Sequence, residues 1–471
     1  MLPKRTRHAK TALFSALLFL STLGWADVFI RWGQSPLPSA NSLGMSKVVF
    51  LWNSTTPLQM LTRARKQGYS VYLEAPLQEA AAASQVATSA GCAGIILRFS
   101  EDERTKAQTL IDGLRTVHPR LTFLMLGFTG KRPQMKGSLI VKRHSILEVS
   151  SPTMQPWIET NIAAIKVAQR AQPGSVPLYT FAWAGPEDAP PTLTASDYSL
   201  AIAEASALHA DLLLPLDDGL QKTLGQNDAA AWALWSEVRS MAKFGSLETE
   251  GGLQPAANVA AVFDDLDPHD EALNLLGRHN IPFQVFLDGD LKANALEDFD
   301  LVVVFAKPNQ AAAELLAGLA SRGKTVVLVD AHGTYPWQKH ESIQLNEHTL
   351  SYAEGGGKIL ELSEPVSDPE IFAQDIRRLL GKRDSLLTLW NGLTTVAVPY
   401  NDRNRALRQI ELVNYAIDPI RVQLQVKGSF TSIRYETPEH GCCQSLAPIK
   451  HDAFTEFVIP QLQIGGRIHL D

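Results

Sequence analysis

Residues 70–100, SVYLEAPLQEAAAASQVATSAGCAGIILRFS, hold an apolar strand at 70–75, a helical stretch at 78–90 and a second apolar strand at 94–99. Both strands are near-continuous runs of apolar residues rather than alternating ones. That texture belongs to strands covered on both faces, as in parallel sheets whose crossovers are helices. The same unit repeats on either side. Strand-like runs stand at 28–32, 47–52, 121–127, 146–150, 178–183 and 211–216, and helical spacing at 57–67, 103–116, 155–171, 196–208 and 227–243. Eight strands within about 220 residues predict a (β/α)8 TIM-like barrel. The stretch 128–145 is basic and has no helical period, so a seven-unit or distorted barrel is the alternative.

Beyond the barrel the texture changes twice. Strands at 258–263, 281–287, 301–306 and 325–330, with helices between them, predict an open doubly wound sheet of flavodoxin type that extends to 358–362 and the helix 368–381. From about 385 the strands are short, alternating and separated by Gly, Pro, Asn and Asp, which predicts a small antiparallel β-sandwich or barrel. The fold class is therefore α/β, with expected domains at 27–248, 256–383 and 384–471. Trp232 and Trp235 fall inside a helical period and are expected in the core.

The first residues divide into the parts of a secretory signal. Lys4, Arg5, Arg7 and Lys10 precede an apolar run from Thr11 to Leu23, and Gly24 and Ala26 fit the −3 and −1 positions of a cleavage site. An uncleaved anchor is the alternative, although the run is short of the ~20 residues that span a bilayer. Removing residues 1–26 takes four cations and no acid, so the formal charge of −6 becomes −10. An acidic surface argues against nucleic acid as partner, and no later segment is long and apolar enough to span a membrane. The expected location is exported, periplasmic or extracellular. Three cysteines cannot form a disulfide framework: Cys92 reads as a buried thiol, and Cys442 and Cys443 as free thiols, a vicinal disulfide or a metal pair.

Active sites of such barrels lie at the C-terminal ends of the strands. Those ends offer Arg31, Trp32, Trp52, Asn53, Glu74, Arg98, Glu148, Trp183, Asp217 and Asp218. Glycoside hydrolysis needs two carboxyl groups across the scissile bond, and Glu74, Glu148, Asp217 and Asp218 are the candidates. Glu74 ends an apolar strand, where partial burial would suit a general acid; pairing with Arg31 or Arg98 is the competing reading. Asp217-Asp218-Gly219 also reads as a turn and helix cap. Sugar rings stack on indoles, so Trp32, Trp52, Trp157 and Trp183, with Asn53, Arg98 and Asn161, form the expected substrate-binding set. Ser150–Trp157 reads as a site loop. Asp264, Asp265, Asp267, His269 and Asp270 crowd one loop that offers oxygen ligands to a hard cation or simply caps the next helix. Gly355-Gly356-Gly357-Lys358 lacks the remaining residues of a phosphate loop. No dinucleotide fingerprint, nucleophile elbow or metalloprotease helix is present, so no cofactor is expected and no metal site is assigned.

The segments LGRHNIPFQVF (276–286), FDLVVVF (299–305) and LASRGKTVVLVDAHG (319–333), together with the order of the three domains, resemble the family 42 β-galactosidases. The resemblance implies a barrel, an amidotransferase-like middle domain that mediates trimers, a small β domain and a carbohydrate ligand. In that clan a Glu following Asn ends the fourth barrel strand and a second Glu ends the seventh. Here those places read Arg98-Phe99-Ser100 and Ala182-Trp183-Ala184, so the pair is not carried over. The middle domain holds no cysteine and hence no amidotransferase nucleophile. Two functions remain open on this reading: a glycoside hydrolase, or a non-catalytic descendant that binds carbohydrate or serves envelope assembly.

Overall fold

The computed structural model describes residues 26–136, 157–172, 174–184, 191–246, 252–416 and 418–471, with the backbone of two short strands at 141–143 and 146–148. Seven parallel strands close into a barrel: β1 (Val28–Arg31), β2 (Lys47–Leu51), β3 (Ser70–Pro76), β4 (Gly94–Arg98), β5 (Thr122–Gly130), β6 (Leu178–Phe181) and β7 (Asp211–Pro215). The eight-stranded expectation is thus corrected to seven. Ile146–Glu148 pairs antiparallel with Val141–Arg143 in a hairpin outside the barrel. The reason is geometric, because a parallel neighbour needs a crossover of a dozen or more residues, usually helical. Among its described residues, 131–136, the segment after β5 has no helix before the hairpin.

Along each barrel strand alternate side chains enter the lumen. Its middle layer is apolar, one residue per strand: Phe29, Val49, Tyr72, Ile96, Leu126, Leu178 and Leu213. Gly94 has no room for a side chain, since a Cβ there would overlap the Thr122 carbonyl of the next strand.

The second sheet has five parallel strands, at 283–287, 259–263, 301–304, 325–328 and 357–362 in spatial order, so the second strand in sequence lies at the edge. This 2-1-3-4-5 order is that of flavodoxin-type sheets. A hairpin at 342–354 extends the sheet antiparallel. Two antiparallel sheets follow. One is built on 395–401, 407–414, 465–470, 433–437 and 441–446, the other on 387–390, 420–427, 454–462 and 449–451. Their facing residues, among them Ile410, Leu412, Val422 and Leu424, share one core. Residues 254–255 pair with 400–401, so the linker after the barrel joins the C-terminal sheet before the middle sheet begins.

The barrel and C-terminal sheet are tied by one buried network. Glu204, on the helix Ala195–Ala207, accepts from Thr160 Oγ1 at 2.8 Å, Asn161 Nδ2 at 2.7 Å and the Tyr415 hydroxyl at 2.5 Å. Burial pushes its carboxyl above the ordinary range, against the pull of these donors. Tyr415→Phe removes one charge-assisted donor and is expected to cost about 1.5 kcal/mol of unfolding free energy, read by urea denaturation. An unchanged midpoint would show that the network contributes nothing at this joint.

Cys92 is buried, and burial pushes its thiol up to about 11. Cys442 and Cys443 are joined in a disulfide rather than present as two thiols. Trp235 lies in the core, its Nε1 donating to Leu43 O at 2.9 Å, and Trp232 packs partly buried against that core. In the acidic loop, Asp264 and Asp265 accept from the amides of Asp265 and Asp267, and Asp270 meets Lys131 at 3.1 Å. Those contacts close the loop on itself and on Lys131 while the helix Asp270–Arg278 has no side-chain cap, and the loop's carboxylates do not converge on one point among the described residues.

Candidate functional site at the barrel mouth

Two residues beyond the apolar layer, on the same lumen face, the strands carry Arg31, Leu51, Glu74, Arg98 and Thr180. The C-terminal mouth is therefore a polar cluster set on a dry floor. Glu74 is wholly buried, and its carboxylate accepts two bonds from Arg31, Nε at 2.8 Å and Nη2 at 3.0 Å. Arg98 Nε approaches the other side at 3.3 Å. The strand register explains the meeting: β3 lies between β2 and β4, and Arg98 stands beside Pro76, two positions beyond Glu74 on the pleat. The Arg98 side chain is 48% exposed, against 26% for Arg31, so Arg98 presents a guanidinium to solvent at the mouth.

The remaining expected residues divide. Trp183 stands just past β6, edge-on to Phe181 and to Tyr198 at 4.7 and 4.9 Å, with the Arg132 guanidinium 5.8 Å from its ring. Trp52 is half-buried after β2, and Asn53 is exposed beside it in a turn closed by Thr55 and Thr56. Asp217 caps the helix Asp218–Gly225 by accepting from Leu220 N at 3.0 Å, and Asp218 is exposed in the first turn. Both roles follow from the Asp-Asp-Gly sequence, since the free amides of a first turn seek a side-chain oxygen.

Three expected residues are not at the mouth surface. Trp32 is buried, and its Nε1 donates to Gln34 O at 2.6 Å. Asn161 is buried between the Lys131 backbone and Glu204, and Gly130 gives it room where any Cβ would overlap its carbonyl. Trp157 lies on a short strand paired with 134–136, its ring under the Arg278 guanidinium at 4.1 Å. Glu148 is on the outside hairpin, not on a barrel strand, and its side chain and the loop 150–156 lie outside the described residues.

Cavities also lie elsewhere among the described residues. One of about 260 Å³ opens between the barrel and the middle sheet, where the Lys166 ammonium sits 5.0 Å from the Phe283 ring centre and burial pulls it down to about 8. Another of about 530 Å³ lies at the opposite end of the barrel from the mouth and is lined by Ala26, Asp27 and Lys47. At that end Asp211, on the lumen face of β7, is buried and accepts from the Asp27 amide at 2.7 Å. The sequence reading passed over Glu204 and Asp211. Their signal was a charged residue inside an otherwise apolar run, SLAIAEASA and HADLLLP.

No family model matches the chain, and no curated protein sequence matches it. Solved structures do. The fold is similar to that of α-L-fucosidase isoenzyme 2 from Paenibacillus thiaminolyticus, with 10% identity and a TM-score of 0.58, covering 95% of this chain and 99% of that one. It also matches a β-galactosidase from Bacillus circulans sp. alkalophilus at 11% identity and a TM-score of 0.42, covering 88% of this chain and 66% of that one. An exo-β-1,4-mannosidase from Opitutaceae bacterium strain TAV5 matches at 10% identity and a TM-score of 0.48, over 75% and 94%. At 10% identity the likeness to the fucosidase is one of fold, shared end to end.

Proposed function

We propose that this chain is an exported glycoside-hydrolase-like protein that binds carbohydrate at the C-terminal mouth of its barrel. The observation that carries the reading is the end-to-end fold likeness to the fucosidase, 95% of this chain on 99% of that one. A mouth with a solvent-facing guanidinium at Arg98 and half-buried indoles at Trp52 and Trp183 suits such a ligand, because hydroxyl groups take N–H donors and sugar faces take aromatic rings. Asn53 at the rim adds a polar contact.

If the protein is catalytic, the mechanism is two-carboxylate hydrolysis, with the pair drawn from Glu74, Glu148, Asp217 and Asp218. A specific observation favours the non-catalytic alternative of a carbohydrate-binding or envelope-assembly protein. Glu74 is held by two guanidinium groups and Asp217 by its helix cap. Each would have to leave an existing partner to reach a glycosidic oxygen. A trimer built through the middle domain remains part of the proposal by resemblance alone.

The test is a glycan-array and chromogenic-glycoside screen of residues 27–471 beside Glu74→Gln and Asp217→Asn. Binding without turnover is the expected result. Turnover that disappears in either variant, with folding intact, would replace the binding reading with a hydrolase.

A further inference from the structure

The lower layer of the barrel lumen carries charge beneath an apolar middle layer. Asp27, Lys47 and Asp211 stand two residues before Phe29, Val49 and Leu213 on the same faces of β1, β2 and β7. The Asp27 backbone nitrogen donates to Asp211 Oδ1 at 2.7 Å, and the Lys47 ammonium is paired with the Asp27 side chain. Asp211 is only 7% exposed. Its carboxyl is pushed up to about 7, by burial first and by the Asp27 charge, against the Asp27 amide and Lys47. Among the described residues the Tyr72 hydroxyl on β3 also faces it, itself held up by burial and by Asp27 and Asp211, and Arg239 and Lys243 line the cavity beside Asp27. A buried carboxylate with a single neutral amide donor is poorly compensated.

We infer that Asp211 is the built-in acceptor for the α-ammonium group that leader cleavage between Ala26 and Asp27 creates. The nitrogen already bonded to Asp211 is the one that becomes the chain terminus. Hydrolysis by a leader peptidase adds water across the bond: the hydroxyl goes to the Ala26 carbonyl, which leaves as a carboxylate, and the nitrogen takes up protons to become an ammonium. A neutral hydrogen bond turns into an ion pair without moving either atom. The open cavity lined by Ala26, Asp27 and Lys47 leaves space at the terminus. Maturation then stabilises the floor of the barrel, and the precursor carries a weaker joint between β1 and β7. This inference rests on the export reading and is independent of the carbohydrate one.

The sign of the pH dependence follows. A free α-amino group titrates near pH 7.7–8.0, and a buried carboxylate partner raises that value in the folded chain. Its contribution is therefore lost as pH rises through the folded amino value and, on the acid side, as pH falls through the Asp211 value, which the ammonium lowers from about 7. The experiment compares a chain that begins at Asp27, released from a fusion partner without residual residues, with one that begins at Ala26. Thermal melts are run on both, with and without Asp211→Asn. At about pH 6.5 the Asp27 chain is expected to melt higher by about 3 °C or more. The gap should close at about pH 9.5 and in the Asp211→Asn pair. Equal melting at the lower pH, or a gap that survives both changes, would overturn the inference. N-terminal sequencing of the exported protein separates the two premises: a start at Asp27 supports the maturation step, and any other start overturns it whatever the melts show.

Discussion

Arg467→Met is expected to lower the unfolding free energy by about 3–5 kcal/mol, measured by urea denaturation. Arg467 lies on the strand Gly465–Leu470 with its side chain 3% exposed, and it bonds two carboxylates that are equally dry. Its Nε meets Glu411 at 2.5 Å and its Nη1 meets Glu436 at 3.0 Å. Burial pushes the Glu411 carboxyl up, and the arginine pulls it back. The guanidinium also lies 5.0 Å from the centre of the Phe244 ring, on the last helix of the barrel. Methionine keeps the stem and its packing but takes the guanidinium from two buried acids, leaving Glu411 with Gln409 Nε2 at 2.6 Å and Glu436 with His469 at 3.3 Å. Adding Glu411→Gln to the variant should recover part of the loss, because it removes one of the orphaned charges. A single-variant loss below about 1 kcal/mol, the range of an exposed pair, would show that water reaches this triad.

The second large effect concerns the mouth and depends on which arginine is removed. Arg31→Ala takes away the bidentate partner of a fully buried Glu74 and leaves only Arg98 at 3.3 Å. Its cost is expected near 3 kcal/mol, at the lower edge for a broken buried pair. Arg98→Ala leaves the bidentate bond intact and removes a half-exposed side chain, so its cost should stay under about 1 kcal/mol. Matched denaturation curves read the difference. Equal costs would mean that the two guanidinium groups share the carboxylate evenly, contrary to the geometry.

Much of the fold was legible because burial on both faces leaves a plain mark. The runs at 28–32, 47–52, 70–75, 94–99, 178–183 and 211–216 are near-continuously apolar rather than alternating, and each became a barrel strand. The run at 146–150 carries the same texture and did not, and the difference lay in what precedes it. Without a helical period between 128 and 145, nothing could carry the chain back to the start of a parallel strand. The flavodoxin-type order was readable from strand–helix alternation, whereas the hairpin at 342–354, exposed and polar on one strand, was not.

The site was legible only in part. Strand ends named Arg31, Glu74 and Arg98, and pleat and register brought them together. Periodicity does not say which strand-end residue points inward, so Trp32 was grouped with residues of the mouth although it is buried. Glu204, Tyr415 and Thr160 meet across 255 positions of sequence at the widest, a separation that no local pattern encodes. Charged residues inside apolar runs were the available signal for Glu204, Asp211, Glu411 and Arg467, and each is buried with a partner.

The most direct measurement of the central claim is a glycan-array titration of residues 27–471 beside Arg98→Ala, with the variant's fold verified by its denaturation midpoint. Carbohydrate recognition at the barrel mouth predicts that the unaltered chain binds a defined set of glycans and that Arg98→Ala weakens that binding about tenfold, the loss of one hydrogen-bonded charged contact. Binding to no glycan, or binding that Arg98→Ala leaves untouched, would contradict it.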